Sequence, residues 1–184
     1  MQMKRKGMNF FKSISCLVFF LCFFMAFMPV TANAQSGIIR YEDGDIYKGI
    51  YKEDDVIGYH KNGKGTYYCS NGTVIKGNWR DDYLTGKATV KYKNKDKYVG
   101  NFKEDVRSGS GKYFFKNGDV YQGNWKNDYM NGNGIYRFKK GVYIKGKWLK
   151  GKLNGTCTFK SGRYKYKLKV SKGKLKKVYK KWRA

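Results

Sequence analysis

The chain of 184 residues carries 40 Lys and Arg against 13 Asp and Glu, a formal charge of +27, with one His, one Pro, four Cys and 23 Gly. A single histidine leaves no nucleophile–base–acid set to assemble, four cysteines are too few for a disulfide framework, and no glycine loop ends in Gly-Lys-Ser/Thr. Composition therefore argues against an enzyme and for a basic protein that meets partners or anionic surfaces.

Residues 1–34 read as a secretory signal peptide. Lys4, Arg5, Lys6 and Lys12 precede an apolar run over 14–28, and Ala32-Asn33-Ala34 supplies a small-x-small site, with cleavage expected between Ala34 and Gln35. The run is short of the roughly 20 residues a spanning helix needs. Cys16 and Cys22 lie inside it, which argues against a lipid-modified N-terminal cysteine. The mature chain is two-toned: residues 35–128 hold 17 basic residues and all 13 acids, whereas 129–184 hold 19 basic residues and no acid.

From residue 41 the chain repeats itself. The glycine before an aromatic recurs as Gly49, Gly77, Gly100, Gly123 and Gly146, and a later glycine as Gly63, Gly86, Gly109, Gly132 and Gly155, with a step of 23 throughout the second series. Self-similarity at a fixed period of this size signals a stacked array. In Tyr121-Gln122-Gly123-Asn124-Trp125 the rings and glycine alternate with polar residues, and Gly132-Asn133-Gly134-Ile135-Tyr136 alternates likewise. Period two means strands with one face of rings and glycines. The expected fold is all-β: an elongated single layer of five stacked β-hairpin units over 35–162, each unit 23 residues long apart from a five-residue insertion in the first. Asp82, Asp105, Asp128 and Gly151 fall at the hairpin bends, where residues tolerant of a left-handed backbone belong. A ring of one hairpin is expected to lie over the bare glycine backbone of its neighbour, both glycine series serving as hollows.

The pattern Tyr-x-Gly-x-Trp/Phe followed by Gly-x-Gly-x-Tyr resembles the MORN (membrane occupation and recognition nexus) repeat family. Tyr121, Gly123, Trp125, Gly132, Gly134 and Tyr136 match best, followed by Tyr98, Gly100, Phe102, Gly109, Gly111 and Tyr113; Tyr47, Gly49, Gly77, Trp79, Gly146, Trp148 and Gly155 take the same places in other units. Departures fall in unit two (Ile75, Ala88), unit five (Ile144, Cys157) and unit one (Tyr51 for Trp), so units three and four are expected to be the most regular. The resemblance implies a hairpin array with a shallow groove, used as a non-catalytic scaffold for proteins or membranes.

After Phe159 the repeat decays into a Lys-rich segment, 163–184, expected to cap or tail the array. Tyr164, Tyr166, Leu168 and Val170 alternate with basic residues as in a last strand, and Leu175, Val178, Tyr179 and Trp182 fall at i, i+3, i+4 and i+7, the stripe of a short amphipathic helix, so the cap is expected to be a helix or a strand. With Lys172, Lys174, Lys176, Lys177, Lys180, Lys181 and Trp182 it forms a candidate contact for an anionic surface. His60 is expected in a solvated first loop beside the charged turn Glu53-Asp54-Asp55, and Cys69 and Cys157 lie too many units apart to bridge. No catalytic, cofactor or metal residues are singled out. The reading is an exported scaffold that binds a partner protein, an anionic membrane, or both, through its groove and basic end. Its alternative is a binder of nucleic acid or acidic polysaccharide, with nucleic acid an unusual target for an exported chain.

Overall fold

The computed structural model describes residues 34–54 and 58–184. The leader lies outside the described residues except for Ala34, which is exposed and followed by Gln35 as the first strand residue; so does the middle of the first loop, 55–57. Thirteen strands form one antiparallel sheet in sequence order: β1 (Gln35–Arg40), β2 (Ile46–Asp54), β3 (Gly58–Tyr68), β4 (Val74–Arg80), β5 (Tyr83–Lys91), β6 (Lys97–Lys103), β7 (Val106–Phe114), β8 (Val120–Lys126), β9 (Tyr129–Arg137), β10 (Tyr143–Leu149), β11 (Lys152–Ser161), β12 (Tyr164–Ser171) and β13 (Lys174–Arg183). Units one to five are the hairpins β2–β3, β4–β5, β6–β7, β8–β9 and β10–β11. No helix occurs among the described residues.

The tips of units two to five are two-residue turns. Asp81 and Asp82 have φ of 46° and 69°, and Glu104-Asp105, Asn127-Asp128 and Lys150-Gly151 repeat the pattern. Two successive left-handed residues make the tight turn whose twist matches paired strands. Each tip also bonds to the preceding unit: Asp105 N–H donates to Leu84 O at 3.1 Å and Asp128 N–H to Arg107 O at 3.2 Å.

The core is one face of the sheet. A row of partners directly opposite one another runs Ile39, Tyr47, Tyr67, Ile75, Val90, Tyr98, Tyr113, Tyr121, Tyr136, Ile144, Phe159, Tyr166. Tyr47, Tyr98 and Tyr121 are 0% exposed. Beside them runs a row of Gly100, Gly111, Gly123, Gly134 and Gly146.

Three details differ from the expectation. Each buried tyrosine lies over glycines of its own hairpin: a Cβ on Gly123 would come 2.5 Å from Tyr121 Oη, and one on Gly134 would come 2.6 Å from its ring. Contact between units falls to the tryptophans, with Trp79 edge-on to Tyr47, Trp125 to Tyr98 and Trp148 to Tyr121 at 5.9, 5.2 and 5.4 Å between centroids. Second, Gly109, Gly132 and Gly155 are not hollows under rings. They have φ of 80°, 82° and 91° and sit where each hairpin's register slips. In unit three Gly100 pairs with Gly111 but Phe102 with Arg107, so 108–110 bulge against Asn101. The bulge frees a carbonyl that the buried tyrosine satisfies: Tyr98 Oη donates to Asn101 O at 3.2 Å, Tyr121 Oη to Asn124 O at 3.1 Å, and Tyr47 Oη to Ile50 O at 2.8 Å.

Third, of the helix or strand expected as the C-terminal cap the strand is found: the helical stripe lies on β13, and the sheet runs on through 163–184. Leu175 pairs with Val170 and Val178 with Leu168 on the core face, whereas Trp182 pairs with Lys165 on the opposite face. The helical spacing arose from register shifts at Lys167/Leu168 and Lys169/Val170, which move apolar residues off strict alternation. His60 is likewise not in a loop. It sits on β3 opposite Lys52, 8% exposed, because the insertion lengthens the first hairpin. Cys69 and Cys157 are both free.

Candidate binding groove

The other face of the sheet carries the charge. In register, one residue per strand, it runs Ile38, Lys48, Thr66, Lys76, Thr89, Val99, Lys112, Gln122, Ile135, Lys145, Thr158, Lys167, Lys180. Six of these are lysines, five of them exposed, and none is an acid. Strands β4 to β13 contain no Asp or Glu at all. Along this face a groove of about 1080 Å³ spans β5 to β13. Lys87, Lys112, Arg137, Lys145, Lys147 and Lys167 line it, with amide and hydroxyl groups of Asn101, Asn124, Asn133, Ser110 and Thr156. The backbone of Gly100, Gly111, Gly123, Gly134 and Gly146 forms part of its floor, their missing side chains facing the ring side of the sheet.

Apart from Glu53 and Asp54 at the end of β2, the described carboxylates lie in the turns, where they do structural work. Asp96 Oδ2 accepts the Tyr113 hydroxyl at 2.8 Å while its Oδ1 accepts Lys116 N–H at 2.7 Å. Asp119 repeats this with Tyr136 and Lys139 N–H, at 2.9 and 3.0 Å, and Asp45 with Tyr67 and Ser70 N–H, at 2.6 and 2.7 Å. Burial disfavours the charge of Asp96 and Asp119. Hydrogen bonds from tyrosine, backbone and Asn outweigh it and hold both below the ordinary carboxylate value. The same burial pushes the Tyr121 and Tyr136 hydroxyls up to about 12. At the tips, Asp82 Oδ1 accepts from Lys61 N–H and Nζ, and Asp128 Oδ1 from Arg107 N–H and Nε, whereas Asp105 Oδ1 accepts Leu84 N–H alone of these.

Of the residues singled out in the sequence, Tyr47, Trp79, Tyr98, Phe102, Tyr113, Tyr121, Trp125, Tyr136 and Trp148 lie on the ring face and pack units together. The C-terminal lysines divide. Lys177 and Lys180 oppose Lys169 and Lys167 on the groove side, with Trp182 in the groove wall. Lys181 crosses to the ring face, 4.1 Å from the Tyr164 ring centroid, and Lys172 sits in the β12–β13 turn with φ of 49°. Lys174 and Lys176 are exposed on β13. Sequence reasoning missed the lysine row, because its successive members lie 13 to 36 residues apart and align only once register is fixed. Among the described residues no group of three or more His, Cys, Asp or Glu could hold a metal ion.

The family model described as MORN repeat matches residues 59–74, 76–97, 98–120, 121–143 and 145–164. The chain belongs to the MORN repeat family. Its repeats form a scaffold-type β array. A search of curated proteins finds no match. Among solved structures the chain is similar to the TCP domain of Drosophila melanogaster SAS-4 (dCPAP) in complex with a proline-rich motif of Ana2 (dSTIL). Identity is 13%, with 89% of this chain and 98% of that chain covered and a TM-score of 0.42. At that level the likeness carries no argument about function.

Proposed function

We propose that this MORN-repeat chain is an exported, non-catalytic scaffold whose groove holds an extended, acidic segment of a partner protein. The observation that carries this reading is the in-register row of six lysines, with no acid in the row, of which Lys112, Lys145 and Lys167 line the groove. Neighbouring strands lie about 4.8 Å apart, so cations two or three strands apart recur roughly every 10–14 Å across the sheet. A linear anion laid across the strands meets them in turn, and Asn, Ser and Thr supply neutral hydrogen bonds between charges. Export rests on the leader at 1–34, and a secreted form beginning at Gln35 is its direct check.

The test is titration of a fluorescent oligoglutamate peptide into the mature protein across a salt series. Binding weakens with salt and falls about tenfold in a Lys112→Gln/Lys145→Gln/Lys167→Gln variant, three partly screened contacts of a fraction of a kcal/mol each. Equal binding by a glutamine peptide, or by the triple variant, rejects the groove. Heparin or single-stranded DNA binding far more tightly than the acidic peptide would favour the polyanion reading instead.

A second reading rests on β13, where Leu175, Val178 and Tyr179 are 58%, 51% and 47% exposed beside Lys176, Lys177 and Lys180. Apolar side chains flanked by lysines suit an anionic membrane surface. Co-sedimentation with anionic but not neutral vesicles, lost in Lys177→Gln/Tyr179→Ser/Lys180→Gln, supports it. Retained sedimentation removes β13 from the contact.

A further inference from the structure

Two places on the ring face hold a cation of the chain itself in a box of aromatics. Lys61 Nζ lies 5.6, 5.2 and 5.2 Å from the ring centroids of Tyr41, Tyr67 and Trp79, and 2.8 Å from Asp82 Oδ1. Arg107 lies 5.6, 5.6 and 4.5 Å from Tyr98, Tyr113 and Trp125, with Nε 2.8 Å from Asp128 Oδ1. Both boxes are built from equivalent repeat positions: a strand residue two before the bulge glycine, and the tip aspartate of the next hairpin. Ring faces and a carboxylate together favour a cation more than either does alone.

Between them lies a third box with the same frame, in which an apolar residue stands at the cation's position. Its strand residue is Leu84 and its tip aspartate is Asp105, bonded to Leu84 N–H at 2.8 Å. The walls are smaller, with Val90 where the filled boxes have Tyr67 and Tyr113, and Phe102 where they have Trp79 and Trp125. A cavity of about 200 Å³ opens at this point, bounded by Thr73, Ile75, Leu84, Val90, Phe102 and Asp105 on one side and by Tyr92, Tyr113 and the already paired Arg107 and Asp128 on the other. No ion pair satisfies Asp105 among the described residues; Lys61, whose field reaches it, is already bonded to Asp82. Burial raises the Asp105 carboxyl above its ordinary value, with the Leu84 N–H bond opposing, as befits an under-compensated acid.

We propose that this cavity receives the guanidinium of an arginine side chain from a binding partner, Asp105 supplying the countercharge and Phe102, Tyr92 and Tyr113 the walls. The partner's arginine takes the place that Arg107 and Lys61 occupy in the neighbouring boxes. The pocket faces away from the lysine row and does not depend on it.

The test is aromatic ¹H–¹³C NMR of the mature protein titrated with N-acetylarginine amide, with the neutral isostere N-acetylcitrulline amide as comparison. The Phe102, Tyr92 and Tyr113 signals shift saturably with the arginine compound, and the citrulline compound binds about tenfold more weakly, the loss of one charge-assisted bond. Leu84→Arg, which fills the box from within as residue 107 does next door, abolishes the response, and so does Asp105→Asn. Should Leu84→Arg fail to fold, Asp105→Asn carries the test alone. Equal binding of the two compounds, saturable shifts that survive Asp105→Asn, or no saturable shift in these rings overturns the proposal.

Discussion

Units three and four differ from units two and five in how they close the same hollow. In units three and four a buried tyrosine lies across two facing glycines, its hydroxyl takes the bulge carbonyl, and a second tyrosine bonds a turn aspartate. Units two and five have Ile75 and Ile144 for the first tyrosine, Val90 and Phe159 for the second, and Thr73 and Val142 for the aspartate. There the space is filled from the other strand. A Cβ on Gly77 would lie 2.7 Å from both Leu84 Cδ1 and Ala88 Cβ, and one on Gly146 would lie 2.7 Å from Cys157 Cβ and 3.1 Å from Leu153 Cδ1. The substitutions travel as a set, because losing a ring is tolerable only when methyl groups replace its volume and no polar atom is left without a partner. In unit two the replacement is incomplete, which leaves the cavity at Leu84 and Asp105.

The largest effect that probes this difference is at the glycines. Gly134→Ala places a methyl into the Tyr121 ring and displaces it, with an expected loss of about 3–5 kcal/mol, comparable to removing the ring, read by denaturant unfolding. Next is conversion of one unit type into the other. Tyr98→Ile alone costs about 2–4 kcal/mol, and adding Arg107→Leu and Gly111→Ala recovers part of it, a coupling of about 1–2 kcal/mol in a mutant cycle. Additive losses would mean that the residue sets are not coupled.

Acid separates the carboxylates by sign. The folded value of Asp119 is lowered, so its stabilisation is present above the ordinary carboxylate range and is lost as pH falls through the folded value. Asp119→Asn therefore lowers Tm at pH 7, and the gap to the parent closes toward pH 2. The folded value of Asp105 is raised, so its charge costs stability near neutrality and the cost fades as pH falls. Asp105→Asn leaves Tm at pH 7 unchanged or higher. The smallest loss among the glycines is at Gly155, with φ of 91° and no atom within 4 Å of a would-be Cβ. Gly155→Ala clashes with nothing and costs only the strain of a left-handed backbone, about 1–2 kcal/mol.

The repeat, the strand alternation and the left-handed tips were legible in the sequence because each depends on residue type at fixed spacing. The two glycine series were not separable by that logic: Gly111 and Gly109 both lie on the alternating positions, yet one sits against a ring and the other bulges. The Leu175–Trp182 stripe misled for a related reason, since a bulged strand and a helix both space apolar residues irregularly over eight positions. Nothing in the local sequence marks Arg107 and Lys61, because only the register of the sheet brings rings around them. Comparing the five units with one another, position by position, would have exposed the joint changes at 75, 84, 88 and 90.

Central to all of this is a division between the two faces: rings and glycines hold the array together, and the lysine row is the proposed binding surface. Lys112→Glu/Lys145→Glu/Lys167→Glu, assayed for oligoglutamate binding alongside its Tm, tests that division directly. Binding should vanish while Tm stays within about 2–4 °C of the parent, as surface changes worth under 1 kcal/mol allow. Undiminished binding, or a collapse in Tm that accounts for the loss, would contradict it.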